Sequence, residues 1–200
     1  MRRINTDFSA LEGTNCYCSA QSAQHIRRAI TALPLHAVHE IGTGDYHYQT
    51  LFWLERIEEP FALVLFDHHP DDQAGAFGEG LLSCGGWVAE ARRLPLLRSD
   101  LWIQREEDFP ALDTLPDLPV YLSVDLDVLS PAYARTDWDQ GEMSLDALMA
   151  ALRLLTLSRR ILGVDLCGGI TPEKGASPDD LALNAGTGEA LCGLFRDQLI

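Results

Sequence analysis

The chain has 200 residues, of which 46% are hydrophobic and 22% are charged, a composition typical of a globular protein with one substantial core. We therefore expect a single domain over residues 1–200. The formal net charge of −15 argues against nucleic acid or an anionic membrane as a partner, since both attract clustered Lys and Arg. A cationic small-molecule or peptide substrate, or a metal ion, fits this charge better, and the composition is compatible with a homo-oligomer.

The beginning of the chain and its cysteines indicate a cellular compartment. The basic start Met1-Arg2-Arg3 is followed by polar residues up to Asp7, where a signal peptide would need an apolar segment. No run approaches the roughly 18 apolar residues of a membrane span. The five cysteines are an odd number without zinc-finger spacing, which predicts reduced thiols. We therefore expect a cytoplasmic protein.

Apolar runs alternate with turn residues in a pattern of strands and helices. The early part of the chain predicts a strand at 3–8, a helix at 20–33 with Ser19 as N-cap, a strand at 37–41, a helix at 49–57 and a strand at 61–66. The later part predicts a loop at 73–86, a helix at 87–93, a strand at 101–103, a surface connection at 106–119, a strand at 120–127, a loop at 131–141, a helix from Ser144 through Leu155, a strand at 161–166, a loop at 168–178 and a last helix from Ser177, broken near Gly186 and Gly188. Such alternation implies βαβ units, and hence an α/β fold with a mostly parallel sheet covered on both faces.

Metal-binding side chains follow three of the predicted strands, at the sheet edge where open α/β folds build their sites. Residues two apart in extended backbone share a face, so the acids and histidine after the 61–66 strand can converge while His68 turns away. The remaining candidates end the 120–127 strand or follow the 37–41 strand. The full set is His47, Asp67, His69, Asp71, Asp125 and Asp127.

Four carboxylates and two imidazoles cannot pack together without a cation, because like charges at such distances would force protonation or unfolding. The set therefore predicts a metal site. Oxygen and nitrogen ligands without thiolate suit manganese, and zinc, iron and cobalt are alternatives. Two ions bridged by shared carboxylates would use all six residues.

Two motifs contain most of these residues. The first, Asp67-His68-His69-Pro70-Asp71, has the form Asp-x-His-x-Asp, and the second, residues 123–131, has the form Ser-x-Asp-x-Asp-x-x-x-Pro. In this order and at strand ends they resemble the ureohydrolase family of arginases, agmatinases and formiminoglutamases. The resemblance covers the chain from about Val38 onward, as a compact, divergent member. It implies an arginase-like, three-layer α/β/α fold and a centre of two Mn²⁺ ions.

The resemblance also implies a role for each ligand. Asp67 and Asp125 would bridge the ions, His47 and Asp71 would complete one ion, and His69 and Asp127 the other. The implied chemistry is hydrolysis by a hydroxide that bridges the metals, with Asp127 accepting a hydrogen bond from it. The family writes Gly-Gly-Asp-His before the first histidine ligand, whereas Tyr46 intervenes here, in Gly44-Asp45-Tyr46-His47.

The residues expected to recognise substrate depart from the family. Counting from Asp67, the histidine that serves arginases as proton shuttle falls on Cys84, which becomes a candidate acid or base. The family's Asp-x-x-Glu retains its aspartate as Asp165 but has Gly168 in place of the glutamate. Gln73 stands where arginases have an asparagine that contacts substrate. Two loop acids are candidates to replace the missing glutamate: Glu79 and Glu173.

The predicted function is that of a binuclear manganese hydrolase of the ureohydrolase type. It would cleave a C–N bond in a guanidino substrate, including an arginine side chain within a peptide, or in a related amidine. One alternative is a non-catalytic metal-binding or sensing protein, consistent with the absent shuttle histidine. Another is an amide hydrolase of the deacetylase kind with a single zinc ion.

Overall fold

The structure is a computed structural model that describes residues 1–73, 75 and 80–196. Its strands are β1 (Arg3–Asn5), β2 (Tyr17–Cys18), β3 (Val38–Glu40), β4 (Phe61–Phe66), β5 (Leu82–Ser83), β6 (Leu97–Ile103), β7 (Val120–Asp125) and β8 (Ile161–Cys167). Its helices are α1 (Ala20–Ile30), α2 (Gln49–Leu54), α3 (Trp87–Ala91), α4 (Leu145–Ser158) and α5 (Pro178–Arg196). Short 3-10 turns cover Gly44–Tyr46, Cys84–Gly86, Glu106–Thr114, Leu126–Val128 and Pro172–Lys174.

Within these described ranges, the central sheet has six strands in the order β1-β3-β8-β7-β4-β6. Every neighbouring pair in it is parallel, as the alternation of strands and helices predicts. β2 and β5 form a separate antiparallel pair. The innermost strands β4, β7 and β8 are buried along their whole length, which is why they read as continuous apolar runs.

The helices cover both faces of the sheet, and each face has its own hydrophobic core. One core joins Val64 and Leu122 of the sheet to residues of α4 and α5, among them Leu152 and Phe195. The other joins alternate strand residues such as Leu65 to α1, α2 and α3. The expected three-layer α/β/α architecture is confirmed. Across the described ranges, no helix combines the length and the apolar composition that crossing a lipid bilayer requires.

Two serines start helices as predicted. The side chain of Ser19 accepts a hydrogen bond from Ser22 N at 3.1 Å. Ser144 caps α4 in the same way, by accepting from Ala147 N at 3.2 Å. Each serine satisfies a backbone donor that would otherwise lack an intrahelical partner.

The predicted break in the last helix is wrong, since α5 continues from Pro178 to Arg196 through both glycines. A helical glycine costs roughly 1 kcal/mol relative to alanine. Downstream of the glycines, Leu191 and Phe195 are buried in the core beneath α5, and burial of two such side chains contributes roughly 3–6 kcal/mol. Tertiary packing therefore outweighs the local preference.

Several other predicted bounds differ from the observed ones. The first strand ends at Asn5 rather than at residue 8, and α1 ends at Ile30 rather than at residue 33. The sequence predicts a loop throughout residues 73–86, but this segment contains β5, which pairs with β2, a strand distant in sequence. β6 begins at Leu97, four residues earlier than predicted. The sequence does not reveal this start because the edge strand is only partly buried and therefore lacks the continuous apolar run of a buried strand. Glu79 lies outside the described residues.

Candidate metal centre

The six predicted ligands meet at the carboxyl ends of β8, β7 and β4, which lie side by side in the sheet. Asp125 ends β7, and the segment 67–71 directly follows β4. His47 arrives from β3, the other neighbour of β8, through the 3-10 turn Gly44–Tyr46. This turn accommodates Tyr46, the residue that separates Asp45 from His47 and is absent from the Gly-Gly-Asp-His motif of the family. The ligand-type atoms form three overlapping groups, each with all its atoms within 4.8 Å of one another: His47, Asp67 and Asp71; Asp67, His69 and Asp127; His47, Asp125 and Cys167.

Asp67 lies between the two histidines and turns one oxygen toward each. Its Oδ2 is 3.1 Å from His47 Nδ1, whereas its Oδ1 is 3.7 Å from His69 Nδ1. The side chain is buried, and Oδ2 has no hydrogen-bond donor among the described residues. A buried carboxylate oxygen without a donor is costly. Asp67 is therefore oriented so that one oxygen can bind a cation beside His47 and the other a cation beside His69.

His47 is held by a buried chain of hydrogen bonds behind the cluster. Ser123 donates its hydroxyl proton to Asp165 Oδ1 at 2.6 Å, and His47 Nε2 lies 2.8 Å from the same hydroxyl oxygen. Because a serine has a single hydroxyl proton, Nε2 must donate to Ser123. The Nδ1 atom of a neutral His47 is then unprotonated, and its lone pair points at the carboxylates.

That lone pair provides a test of whether a metal fits. His47 Nδ1 lies 3.1 Å from Asp67 Oδ2, 3.0 Å from Asp71 Oδ2 and 3.5 Å from Asp125 Oδ2. Three carboxylate oxygens and a nitrogen lone pair repel one another unless a cation lies among them. A metal ligand histidine commonly donates its other N–H to a hydroxyl or carboxylate in this way. The donor set fits a divalent cation.

The second group lies beside His69, which is half-buried. His69 Nδ1 is 2.9 Å from Asp127 Oδ2, and Asp127 Oδ1 accepts a hydrogen bond from the backbone N of His68 at 3.0 Å. Asp125 Oδ1 accepts a hydrogen bond from Asp127 N at 2.9 Å, whereas its Oδ2 faces the cluster, 3.5 Å from His47 Nδ1. A bridging role for Asp125 would therefore fall on Oδ2.

The carboxyl groups show how strongly the cluster demands a positive charge. Burial, followed by the neighbouring carboxylates of Asp127 and Asp67, raises the pKa of Asp125 well above its usual range. Burial and Asp67 raise the pKa of Asp127 to about 6. Hydrogen bonds that His69 donates to Asp127 and Asp67 raise the pKa of His69 to about 10. Each raised pKa means that the group binds a proton more readily, because the cluster has an excess of negative charge. A bound metal cation would neutralise this negative charge in place of the protons.

Burial by itself lowers the pKa of His47, but its interactions with Cys167, Asp67 and Asp71 outweigh burial and raise that pKa well above its usual range. Asp71 is fixed in turn by α3, because its Oδ2 accepts from Trp87 Nε1 at 2.7 Å. Its φ of 47° lies in the left-handed region, which costs a non-glycine residue roughly 1–2 kcal/mol. Such strain is often found at functional sites.

A cavity of ≈ 270 Å³ opens above the cluster. All six predicted ligands line it, and so do Gln73 and Cys84, the candidates for substrate contact and proton transfer. Burial raises the pKa of Cys84 to about 12, so its thiol is protonated at neutral pH. Glu173 does not line this cavity and instead borders a separate depression beside Asp45 and Tyr46. A substrate contact by Glu173 stays a prediction that its position does not favour.

Trp138 forms a wall of the cavity that the sequence patterns did not predict. Its ring lies edge-on to His69, with 6.0 Å between ring centroids, and its Nε1 donates to Asp45 Oδ1 at 3.1 Å. Lys174 Nζ lies 2.7 Å from Asp45 Oδ2 and 2.8 Å from Asp137 Oδ2. Three loops far apart in sequence thus hold the indole, and no local signal marks it.

Cys167 was also missed, although the sequence offered a signal. It follows Asp165 by two residues at the end of β8, so both side chains point to the same face of the sheet. Its Sγ lies 3.1 Å from Asp125 Oδ2. Burial, followed by Asp125, raises the pKa of the Cys167 thiol well above its usual range.

Gly168 stands where the family resemblance predicts a glutamate, and no side chain fits there. Its φ is +100°, and a Cβ would lie 1.9 Å from Asp125 Oδ1 and 2.8 Å from Leu126 N. Real Cβ atoms essentially never approach other atoms below 3.0 Å. The backbone after β8 therefore presses against Asp125. The glutamate of the family motif therefore has no room at this position, and the same close approach brings Cys167 to Asp125.

The other histidines that the structure describes lie outside the three groups. His68 packs edge-on against His69, in keeping with its expected outward orientation. His39 is fully buried and stacks on Trp53, with ring centroids 3.6 Å apart. Its Nε2 is 3.0 Å from Pro34 O, and its Nδ1 is 3.2 Å from Tyr121 Oη. A neutral ring satisfies both contacts by donating from Nε2 and accepting at Nδ1.

Burial lowers the pKa of His39 from 6.5 to about 4, which predicts a pH-dependent contribution to stability. Between these values the unfolded state binds the proton more readily than the folded state. The free energy of unfolding should therefore lose up to about 3 kcal/mol as pH falls from 6.5 to 4, and nothing above 6.5. The stability difference between wild type and His39→Gln should narrow by that amount over this range, as measured by urea denaturation of metal-free protein.

Phe52→Leu, a non-titrating change in the same core, is the matched control, and its stability deficit should be equal at every pH. Comparing each variant with wild type at the same pH also removes the contributions of Asp127 and Asp165. Both carboxyls have a pKa raised to about 6, and they act in the opposite direction. A constant deficit for His39→Gln would contradict the prediction.

Comparison with known proteins gives one match by sequence. No family model matches the chain. An uncharacterized protein of Thermotoga maritima is 36% identical over 154 residues, which cover 70% of this chain and 61% of that protein. The chain thus spans about three fifths of the length of this relative.

Solved structures resemble the fold over most of the chain. A hypothetical agmatinase from Burkholderia thailandensis matches 92% of this chain and 68% of its own, with a TM-score of 0.67 and 20% identity. Formimidoylglutamase from Bacillus subtilis matches 90% and 68%, with a TM-score of 0.64 and 17% identity. Arginase from Bacillus caldovelox matches 94% and 80%, with a TM-score of 0.61 and 15% identity. The chain therefore has the arginase-like fold that these ureohydrolase structures share, and the resemblance carried by its two aspartate motifs is confirmed for the fold.

Proposed function

We propose that this protein is a metal-dependent hydrolase of the ureohydrolase type that uses a binuclear centre. The observation that carries the proposal is the orientation of Asp67, whose two oxygens face two different histidines, His47 at 3.1 Å and His69 at 3.7 Å. Two ligand groups share this one carboxylate. A site for a single ion would need only one of these groups.

The residues that would hold the two cations are those of the predicted set. His47 and Asp71 would complete the position on one side of Asp67, and His69 and Asp127 the position on the other side, with Asp125 contributing Oδ2. Manganese is the ion that the family resemblance implies. A pair of divalent cations, when bound, supplies Lewis-acid chemistry that acidifies water and polarises the carbon under attack.

The other cavity residues would bind the substrate and move its protons. Asp127 lines the cavity and would accept a hydrogen bond from the attacking water. Cys84, with its pKa raised to about 12, would take part only as a proton donor. Gln73 and Trp138 both line the cavity, where the Gln73 amide would contact polar substrate groups and the Trp138 indole would contact a cationic group.

The substrate class follows from charge and from the type of carbon such sites attack. A protein with a net charge of −15 attracts cations, and the indole wall suits a planar cation such as guanidinium. We therefore propose cleavage of a C–N bond in a guanidino group, free or on an arginine side chain within a peptide, or in a related amidine. Because no side chain fits at Gly168, any contact that replaces the family's glutamate must come from another residue.

The test is an assay of the full chain reconstituted with Mn²⁺. Free arginine, agmatine, an arginine-containing peptide and a formamidine compound are incubated in parallel, and release of urea and ammonia is measured. We expect metal-dependent release from at least one of them, and a loss of about 100-fold or more in kcat for Asp127→Asn, the scale of general acid–base effects.

An acetyl-lysine peptide in the same assay addresses the amide hydrolase alternative, which predicts acetate release with one zinc ion per chain. Inactivity toward every compound at full metal occupancy would overturn the proposal. It would favour the non-catalytic, metal-sensing alternative.

A further inference from the structure

We propose that Cys167 is a thiolate ligand of the metal position beside His47, and that this position selects zinc over manganese. The proposal rests on the proposed binuclear centre and departs from the manganese-only centre that the family resemblance implies. It adds a third donor type to the oxygen and nitrogen ligands of the two aspartate motifs.

The position of the sulfur carries the first step. Cys167 Sγ lies 3.1 Å from Asp125 Oδ2, and the ligand atoms of His47, Asp125 and Cys167 all lie within 4.8 Å of one another. Cys167 pairs in register with Asp125 across β7 and β8. All three residues are buried, so water competes little for the space among them. One cation among these atoms would be bound by a nitrogen, an oxygen and a sulfur.

A second observation points to a cation at the same place. Asp67 Oδ2 is buried without a hydrogen-bond donor among the described residues, and it lies 3.1 Å from His47 Nδ1. With Nε2 donating to Ser123, the Nδ1 of a neutral His47 faces the carboxylates as an acceptor. Two acceptor atoms buried face to face need a positive charge between them, which either a proton or a metal cation supplies. Cys167 belongs to the same ligand group as His47 and Asp125, and its Sγ contacts Asp125 Oδ2.

The backbone explains why this chain offers a sulfur there. Gly168, with φ of +100°, lets the end of β8 approach Asp125 so closely that a Cβ would lie 1.9 Å from Oδ1. The same approach delivers Cys167, the preceding residue, to Oδ2 of the same carboxylate. The glycine at position 168 thus permits the backbone approach that places the Cys167 thiol against Asp125.

The donor set determines the metal preference. Thiolate is a soft ligand that favours zinc, whereas manganese prefers carboxylate, carbonyl and water oxygens. On binding, the S–H bond of Cys167 breaks, the proton leaves to solvent and the sulfur lone pair forms the bond to the metal. No electron transfer is involved. The neighbouring position, formed by Asp67, His69 and Asp127, has no sulfur and therefore lacks this additional preference for zinc.

Cobalt(II) is the probe for the test, because it occupies zinc sites and gives an intense near-ultraviolet charge-transfer band only when a thiolate is bound. Metal-free full-length protein is titrated with Co²⁺, and absorbance and bound cobalt are measured together. We expect wild type to show the band at a stoichiometry of one thiolate per chain. Cys167→Ser and Cys167→Ala should bind cobalt without the band.

Two cysteine variants are matched controls. Cys84→Ser changes the thiol that lines the cavity, and Cys192→Ser changes a buried thiol of α5 that belongs to none of the three ligand groups. Both should keep the full band. If wild type binds cobalt without the band, or if Cys84→Ser loses it, the thiolate proposal is overturned while the binuclear site stands. If wild type binds no cobalt, zinc or manganese, the proposed function fails together with it.

Metal selectivity gives a readout independent of the spectrum. Wild type and Cys167→Ala are dialysed against the same excess of Mn²⁺ over Zn²⁺, and bound zinc and manganese are measured by elemental analysis. Zinc binds most nitrogen and oxygen sites more tightly than manganese, so the thiolate should appear as a higher ratio of bound zinc to bound manganese in wild type. Cys167→Ala should lose this zinc preference by roughly 10- to 100-fold or more, since even outer partners of metal ligands change affinity on that scale. An unchanged ratio of zinc to manganese in Cys167→Ala would contradict the inference.

Discussion

Asp125→Asn is expected to abolish metal binding at the candidate centre and at the same time to stabilise the metal-free protein. The substitution removes a charge from a cluster in which Asp67 and Asp127 already raise the pKa of Asp125. The amide oxygen can still accept from Asp127 N, a bond of 2.9 Å in the wild type. A gain of about 1 kcal/mol in the free energy of unfolding would raise Tm by roughly 2–4 °C for a chain of this size.

The loss of metal is measured by elemental analysis and by the effect of metal on Tm. A metal at about 100 times its Kd stabilises the folded state by about 2.7 kcal/mol, and this increment should be absent in Asp125→Asn. Asp113→Asn, an exposed carboxylate of the 3-10 turn Glu106–Thr114, is the control and should keep it. Full metal content in Asp125→Asn, or none in wild type, would refute the centre.

Gly168→Glu, which restores the residue type of the family motif, is expected to destabilise the protein and to impair the centre. The new Cβ would lie 1.9 Å from Asp125 Oδ1 at a φ of +100°. Backbone strain of roughly 1–3 kcal/mol and overpacking of roughly 1–3 kcal/mol together predict a loss of roughly 2–6 kcal/mol. Metal content should fall as well, because Asp125 must move to relieve the clash.

Thermal denaturation and metal analysis of Gly168→Glu and Gly168→Ala test this expectation. Gly169→Ala is the matched control, since a Cβ there would meet no atom closer than Asn184 Nδ2 at 3.2 Å, a much milder contact than 1.9 Å at Gly168. The control should lose less than about 1 kcal/mol. Wild-type stability in Gly168→Glu, especially with a gain in arginine hydrolysis, would show that the backbone readily adopts the path expected for the family.

The two substitutions test different aspects of the site. Asp125→Asn asks whether the carboxylate cluster exists to hold metal, and both motifs contribute to that cluster. Gly168→Glu tests whether the backbone at position 168 leaves room for the glutamate of the family motif. If both behave as expected, the protein combines the metal-binding part of a ureohydrolase with a recognition region of its own.

Residues that are close in sequence could be predicted as neighbours in space. Asp67, His69 and Asp71 follow one buried strand, and Asp125 and Asp127 end another, so strand geometry alone brings each set to one point. Parallel strands then place both sets at the same sheet edge. His47 was predicted from its position in the loop after the 37–41 strand, although Tyr46 interrupts the form in which the family writes this motif. The 3-10 turn Gly44–Tyr46 accommodates it.

Other features depend on contacts between distant segments. The continuity of α5 through its glycines is decided by the core beneath it, and the pairing of β2 with β5 by residues more than sixty positions apart. Trp138 reaches the cavity wall because Asp45, from another loop, accepts its N–H. Glu173, which sequence position made a candidate for the site, lies beside a different depression.

The sequence by itself determined the fold class, the sheet edge that carries the site and the six candidate ligands, because strand periodicity and motif spacing are local properties of the chain. Only the tertiary structure decided how Asp67 divides its oxygens between two histidines, why no glutamate fits at position 168, and that Cys167 lies against Asp125. These last features depend on how closely β8 and its following residues approach β7. That distance is set by the packing of the whole sheet rather than by any short stretch of sequence.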